Sequence, residues 1–346
     1  MDQEYTELKQ KIEAELERWL PQEPDAKFIE AVFGETGKLT DITSIKDLIV
    51  PARELCFRGG KRWRPLLMSL VCDTLGGGDK AIPLSPIVEF SHTASLIHDD
   101  IEDESDERRG KPSVHKMFGV DVGINAGSFF YFLASACIES CGFKDKELIY
   151  RLWMESMRKL HLGQSMDIHW HRYISYIPTM DQYYLMCSMK TGSLARLATG
   201  IGAHAAGAPQ EAVRILGNVA DKIGIGFQIL DDVKNITTGV HGKKRGDDIV
   251  EGKKSLPVLL YLQKYPEKRE LIFYYFYAAK TEGTSSPAIK EFIETLTPTG
   301  VFEEAEEKGR ALLKESREFI HSHELINFSL NEKAYTLLDD FFNKIS

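Results

Sequence analysis

What this chain of 346 residues lacks narrows its class quickly. It has no run of roughly 18 apolar residues, so no membrane-spanning helix is expected. Residues 1–20, MDQEYTELKQKIEAELERWL, are acidic and amphipathic and lack the basic-then-apolar layout of a signal peptide. CxxC pairs are absent. The five cysteines, Cys56, Cys72, Cys137, Cys141 and Cys187, are odd in number and mostly sit in apolar helical context. Reduced, buried thiols and a cytoplasmic protein are expected. There is no basic excess: 43 Lys and Arg face 52 Asp and Glu, for a net charge of −9, which argues against a nucleic-acid partner. Strand-like alternation and internal repeats are also missing, so nothing predicts a sheet. The rest is ordinary globular composition, 43% hydrophobic and 27% charged, long enough for one large helical domain.

What is present is helical periodicity. Helices are expected over 3–20, 44–57, from about 63 to Gly76, then over Pro86–Asp103, Val120–Ser140, Lys144–Trp170, Thr179–Gly207 and Val213–Ile236, with a helical remainder over 258–346. Residues 21–43, with Pro21, Pro24, Gly34 and Gly37, read as irregular. The organisation is an N-terminal helix and connecting segment over 1–45, followed by a single all-α domain over 46–346.

The chain is organised around Glu89–Gly110, EFSHTASLIHDDIEDESDERRG. Here a helix that is apolar nearly all round runs into a knot of carboxylates. Asp99 and Asp103 stand at i and i+4, on one face, with His92 two turns earlier. Two carboxylates so placed suit a hard divalent cation. An EF-hand is excluded because its central Gly and closing Glu are missing. A solvated acidic helix end fits poorly, since the helix leading in is apolar. A second apolar helix ends the same way, with Gln228, Asp231, Asp232 and Asn235 on one face.

Cations accompany these acids. Lys61, Arg62 and Arg64 crowd the start of a helix whose dipole end is already positive, a poor match unless an anion is shared. Lys243, Lys244, Lys253 and Lys254 lie in a loop that misses the P-loop spacing by one residue. His169-Trp170-His171 is not read as a metal site, because side chains at i and i+2 on a helix diverge. Small residues around Lys190-Thr191-Gly192 imply close helix contacts or a cavity wall. Acids, cations and apolar helix faces together suit a ligand with a polyanionic head, bridged to carboxylates by Mg²⁺, and a hydrocarbon tail. Such a site favours departure of a diphosphate and shelter of a carbocation from water.

At this point the sequence resembles the trans-isoprenyl diphosphate synthases over roughly 50–330. Gly59-Gly60-Lys61-Arg62-Trp63-Arg64-Pro65 is similar to that family's GGKRxRP, and Asp99–Asp103 to its first DDxxD, followed by Arg108-Arg109-Gly110. Lys190-Thr191, Phe227–Asp232 and Gly252-Lys253 with Leu256-Pro257 are similar to its KT pair, second aspartate motif and GKxTLP. The pattern is closest to the eukaryotic-type geranylgeranyl diphosphate synthases, which share the DDxxN form that Asn235 completes. Ser255 stands where Thr is usual.

The resemblance implies an isoprenoid synthase bundle of ten or more helices around a deep central cavity, usually a homodimer. It implies head-to-tail (1′-4) condensation of isopentenyl diphosphate with an allylic diphosphate. Two or three Mg²⁺ ions are implied, with Mn²⁺ as a substitute. Asp99, Asp103 and Asp231 would bind the metal, assisted by Asp100 and Asp232. Lys61, Arg64, His92 and Arg109 would hold isopentenyl diphosphate. Arg108, Lys190, Thr191, Gln228, Lys243 and Lys253 would hold the allylic diphosphate. Ala94 and Ser95 lie about 6 Å along the helix before Asp99, and being small they would let the growing tail pass. Tyr131, Phe132 and His161 would form the floor, setting a C20 product. A longer polyprenyl or a farnesyl product is the alternative. A terpene cyclase would not need the second diphosphate site at Lys61, Arg64, His92 and Arg109, and a non-catalytic synthase subunit would tend to lose the carboxylates that this chain keeps.

Overall fold

A computed structural model describes residues 2–35, 43–239, 245–320 and 331–345. These residues are almost wholly helical, and the strands among them are one hairpin of two residues per strand, Glu107–Arg108 with Lys111–Pro112. The expected helices form, and short ones are added at Val114–Phe118 and Asp247–Glu251. Ala26–Phe33, inside the stretch read as irregular, is a helix capped by Asp25, whose carboxylate accepts the Phe28 N–H at 2.8 Å. An Asx cap outweighs the prolines on its N-terminal side.

The chain divides into two compact units. The first comprises Met1–Met157, Arg196–Gly217 and His323–Phe341, and the second Arg158–Ala195, Asn218–Ser322 and Phe342–Ser346. In the first, Ser85–Glu102 is a helix with Pro86 in its opening turn, where a missing N–H costs nothing. It packs along Val120–Ser140, and Phe90 meets Phe130 at 5.1 Å between ring centroids. Gly127 makes this approach close: a Cβ there would stand 3.0 Å from the His98 ring. The N-terminal helix Asp2–Trp19 belongs to the same core through Ile12 and Leu16. All five cysteines are free and buried, as expected from their context.

The second unit has its own core, in which Tyr183, Ile229, Leu256, Phe276 and Phe292 are buried together. Val120–Ser140, in the first unit, is the one helix among the described residues long and apolar enough to cross a membrane, and half of it is buried inside the protein.

Candidate active site

In the first unit the helix Ser85–Glu102 stops where its carboxylates begin. Asp103 caps it, Glu104 turns left-handed at φ 54°, and Ser105 N–H reaches back to the Asp100 carbonyl at 2.9 Å, a Schellman-type end. The stop places Asp99, Asp100 and Asp103 at the helix mouth. Asp100 is 0% exposed. Arg108 relieves the crowding: its Nε donates to Asp100 Oδ1 at 2.7 Å and its Nη2 to Asp99 Oδ2 at 3.1 Å. Arg108 is aimed by the small hairpin, whose two-residue turn is Arg109-Gly110, both left-handed at φ 55° and 74°. Arg58 donates to the Arg108 carbonyl at 3.0 Å and fastens this hairpin to the preceding helix Thr43–Cys56.

The cations of this unit fall into two groups. Arg58 pairs with Glu54, Arg62 with Glu13 and Glu89, and Arg108 with Asp99 and Asp100. Arg109 and Lys61 form no ion pair among the described residues, although Glu89 acts on Arg109 from farther off. Arg109 donates instead to the Gly59 carbonyl at 2.6 Å, and burial lowers its pKa. Lys61 is exposed, and Arg64 lies over the Trp63 ring at 4.3 Å. His92 is held well below the ordinary histidine pKa, first by burial and then by Arg64, Arg109, Arg108 and Arg62. Burial and the surrounding guanidiniums favour the uncharged imidazole, and such a surplus of positive charge is what a bound anion would relieve.

In the second unit a chain of hydrogen bonds links the other motifs. Thr191 Oγ1 donates to Gln228 Oε1 at 2.7 Å, Gln228 Nε2 to Asp232 Oδ1 at 2.8 Å, and the Tyr183 hydroxyl to Asp232 Oδ2 at 2.7 Å. Lys190 pairs with the buried Asp167 at 2.6 Å. Burial alone would raise the Asp167 carboxyl, but Lys190, Lys253 and His171 outweigh it and hold it below the usual range. Ser188–Gly192 is a π-helical turn within the Thr179–Gly207 stretch, a distortion common at functional sites. Glycines permit it: a Cβ on Gly163 would stand 2.3 Å from Lys190 N, and one on Gly224 2.4 Å from Gly192 Cα. These are the close helix contacts expected from the small residues there.

The loop after the second acidic helix is clamped at both ends. Asn235 is buried, and its Oδ1 accepts the Asp248 N–H at 3.3 Å. Lys254 is 2% exposed and donates to the Gly252 carbonyl at 2.7 Å and the Trp170 carbonyl at 3.1 Å, above the Phe276 ring. Lys253, between them, pairs with Glu251 and, at 3.5 Å, with Asp248. Lys243 lies outside the described residues.

The proposed tail path is built from mixed surfaces. Ala94 is fully buried, and the Ser95 hydroxyl folds back onto the His92 carbonyl at 2.7 Å. Tyr131 is half-buried and stacks on His98 at 5.6 Å. Phe132 turns outward, 69% exposed, and His161 is exposed as well. His169 packs on Tyr173 and Tyr176, in keeping with a packing role.

The polyprenyl synthetase family model matches residues 46–295. The chain belongs to the polyprenyl synthetase family. It is 35% identical over 255 residues to a short chain isoprenyl diphosphate synthase of Methanocaldococcus jannaschii, covering 72% of this chain and 76% of that one. It is 30% identical over 332 residues to a geranylgeranyl pyrophosphate synthase of Aspergillus fumigatus, covering 92% and 89%. A solved geranylgeranyl pyrophosphate synthetase of Pyrococcus horikoshii superposes with a TM-score of 0.79 at 25% identity, over 99% of this chain and 98% of that chain. This polyprenyl synthetase is a prenyltransferase acting on isoprenyl diphosphates, in a family whose reactions are generally metal-dependent.

Three polar residues of the first unit, Glu13, Arg62 and Glu89, and two of the second, Asp167 and Lys254, have no role that the sequence reveals. Sequence alone groups Arg62 with Lys61 and Arg64 as cations that would share an anion. The only signal for Asp167 is its spacing from His171, i and i+4 on one helix face. Nothing in the linear sequence marks Glu13 as the partner of Arg62.

Proposed function

We propose that this synthase makes geranylgeranyl diphosphate (C20) from isopentenyl diphosphate and a shorter allylic diphosphate. The observation that supports the two-diphosphate reading is the surplus of positive charge in the first unit, where Arg64, Arg109, Arg108 and Arg62 all act on the buried His92 and Lys61 and Arg109 make no ion pair among the described residues. Lys61, Arg64, His92 and Arg109 hold isopentenyl diphosphate there. Arg108, Lys190, Thr191, Gln228, Lys253 and Lys243 serve the allylic diphosphate.

Asp99, Asp103 and Asp231 would hold Mg²⁺, assisted by Asp100 and Asp232. The donor set fits that ion. It is all oxygen, and no group of three His, Cys, Asp or Glu side chains among the described residues could enclose a metal. Magnesium takes one or two carboxylates and completes its shell with phosphate oxygens and water. Bound there, it would supply charge neutralisation for the departing diphosphate. The protein's own groups orient the two substrates. Once the allylic C–O bond breaks, the diphosphate leaves with the electron pair, the alkene attacks C1, and the proton released on C=C formation passes to the diphosphate. No side-chain base is required.

Ala94 and Ser95, being small, would let the tail pass at their level, and Tyr131 would be the stop. The outward turn of Phe132 removes one of the two aromatics expected at the floor, and this favours a longer polyprenyl product as the second reading. Val120, Ile124 and Phe132 are 50%, 47% and 69% exposed on one helix, apolar surface that a homodimer would cover.

Incubation with Mg²⁺, isopentenyl diphosphate and farnesyl diphosphate, with chain length read by chromatography, tests the assignment. A C20 product supports it. Absence of elongation overturns it. Ala94→Phe should shorten the product and Tyr131→Ala lengthen it.

A further inference from the structure

The N-terminal helix Asp2–Trp19 lies outside the segment matched by the family model, yet it reaches the loop that carries Lys61. That loop has little backbone support. Gly59, Gly60 and Arg62 are all left-handed, at φ 90°, 126° and 50°. Two of these are glycines, which adopt such angles freely, but Arg62 does so against its Cβ. Side chains must therefore hold the shape. Arg62 turns inward and is buried, while Lys61 beside it is exposed.

Four of the five guanidinium N–H directions of Arg62 are used. Nε and Nη2 donate to the two carboxylate oxygens of Glu13 at 2.8 and 3.1 Å. Nη1 donates to Glu89 at 2.6 Å, and Nη2 also to the Cys56 carbonyl at 2.6 Å. The fork on Glu13 is bidentate, the geometry that fixes orientation as well as charge. Burial works against the Arg62 charge, but Glu89 and Glu13 outweigh it and raise its pKa. Glu13 in turn is anchored by its neighbours Ile12 and Leu16, both fully buried. The same helix touches the loop once more, where Lys9 Nζ donates to the Gly60 carbonyl at 3.3 Å. Arg109 rests on the other side of that glycine: a Cβ there would come within 3.2 Å of its guanidinium.

We propose that Glu13 is a positioning residue for isopentenyl diphosphate. Through Arg62 it fixes the left-handed loop that presents Lys61, Arg64 and the Gly59 carbonyl that holds Arg109. The N-terminal helix is thereby part of the diphosphate site without touching the ligand. This rests on the assignment of Lys61, Arg64, His92 and Arg109 to isopentenyl diphosphate. Without Glu13, Arg62 keeps Glu89 but loses its fork, and the loop is free to relax toward ordinary φ.

The test is steady-state kinetics of full-length Glu13→Ala and Glu13→Gln with both substrates varied, together with Tm. Lys61→Ala serves as the reference. Glu13→Ala is expected to raise KM for isopentenyl diphosphate about tenfold, and Glu13→Gln by less because one acceptor oxygen remains. KM for the allylic substrate and kcat should stay within about twofold. Equal losses toward both substrates would reduce Glu13 to a packing role and overturn the proposal, as would an unchanged KM for isopentenyl diphosphate. If Glu13→Ala does not fold, Glu13→Gln decides by the same split. A raised KM in Lys61→Ala with no change in either Glu13 variant sinks the positioning role alone. An unchanged KM in Lys61→Ala sinks the site assignment beneath it.

Discussion

Two apolar helices of this synthase carry aspartate pairs, and the protein treats the two pairs differently. At Asp99 and Asp100 it supplies a cation. Arg108 binds both, at a helix end where Asp103 already caps the backbone. At Asp232 it supplies only neutral donors, the Tyr183 hydroxyl and the Gln228 amide, inside a helix that continues to Thr237. The Asp232 carboxyl is accordingly pushed up to about 7, by burial first and then by Asp248, while the hydrogen bonds from Gln228 and Tyr183 pull the other way. A carboxylate pair with its own arginine is a self-balanced element of the fold. One satisfied by amide and phenol depends on charge brought by a ligand.

Removing the carboxylates proposed for the metal should have the largest effect. Asp99→Ala and Asp231→Ala are each expected to lower kcat about 10³-fold, the scale of lost charge stabilisation at a reacting centre. Equal losses would show that the two pairs serve the same ion-bound substrate despite their different settings. A variant retaining more than a tenth of wild-type turnover would remove its residue from the metal set.

The next effect concerns stability and separates the pairs. Arg108→Met leaves the fully buried Asp100 without its guanidinium and should destabilise the fold by about 3 kcal/mol. Gln228→Leu removes only a neutral donor from Asp232 and should cost about 1 kcal/mol. Urea unfolding measures both. Similar values would mean that the arginine is dispensable to the fold and that the contrast between the pairs is wrong.

A smaller effect comes from titration of His92. Burial and four nearby arginines lower its folded pKa below the 6.5 of the unfolded chain. The unfolded state then binds the proton first on acidification, so stability falls as pH drops below about 6.5 and levels off below the folded pKa. His115 and His171 are lowered as well and add in the same direction. His92→Asn should make the decline of Tm between pH 6.5 and 5 shallower, and an unchanged slope would refute the account.

Lys254 provides the alkaline counterpart in the second unit. Burial lowers it to about 8, so the unfolded chain holds its proton longer between pH 8 and 10.5 and stability gains over that range. Lys254→Met should lack this gain, read as the difference in Tm against pH. The smallest change is expected for Ser255→Thr. The Ser255 hydroxyl has no partner, so kinetics and Tm should barely move.

The local elements and the motif set were legible in the sequence. Apolar residues at helical spacing define nearly every helix, and the carboxylates, the KT pair and GGKRWRP are readable because their chemistry needs fixed residue types at fixed spacings. Ala26–Phe33 escapes because its cap depends on a single aspartate among turn-forming residues. Adjacency to Tyr131 puts Phe132 at the floor in sequence terms. One residue along a helix is a rotation of about 100°, so adjacent side chains face different surroundings, and only packing decides which is inside.

Asn235 illustrates the same limit from the other side. In sequence it is a departure from DDxxD and looks like a missing metal ligand. In the structure its amide caps the Asp247–Glu251 turn from a buried position, a role that a carboxylate beside Asp232 and Asp248 would fill poorly. The sequence alone determined the all-α class and the family, because both follow from periodicity and motif chemistry over short spans. Only the tertiary structure decided which cations are already neutralised and which remain available. Arg62 and Lys61 are neighbours with the same charge, yet a left-handed turn points one at Glu13 and Glu89 and the other at solvent. That outcome depends on partners far away in the chain, which no local pattern records.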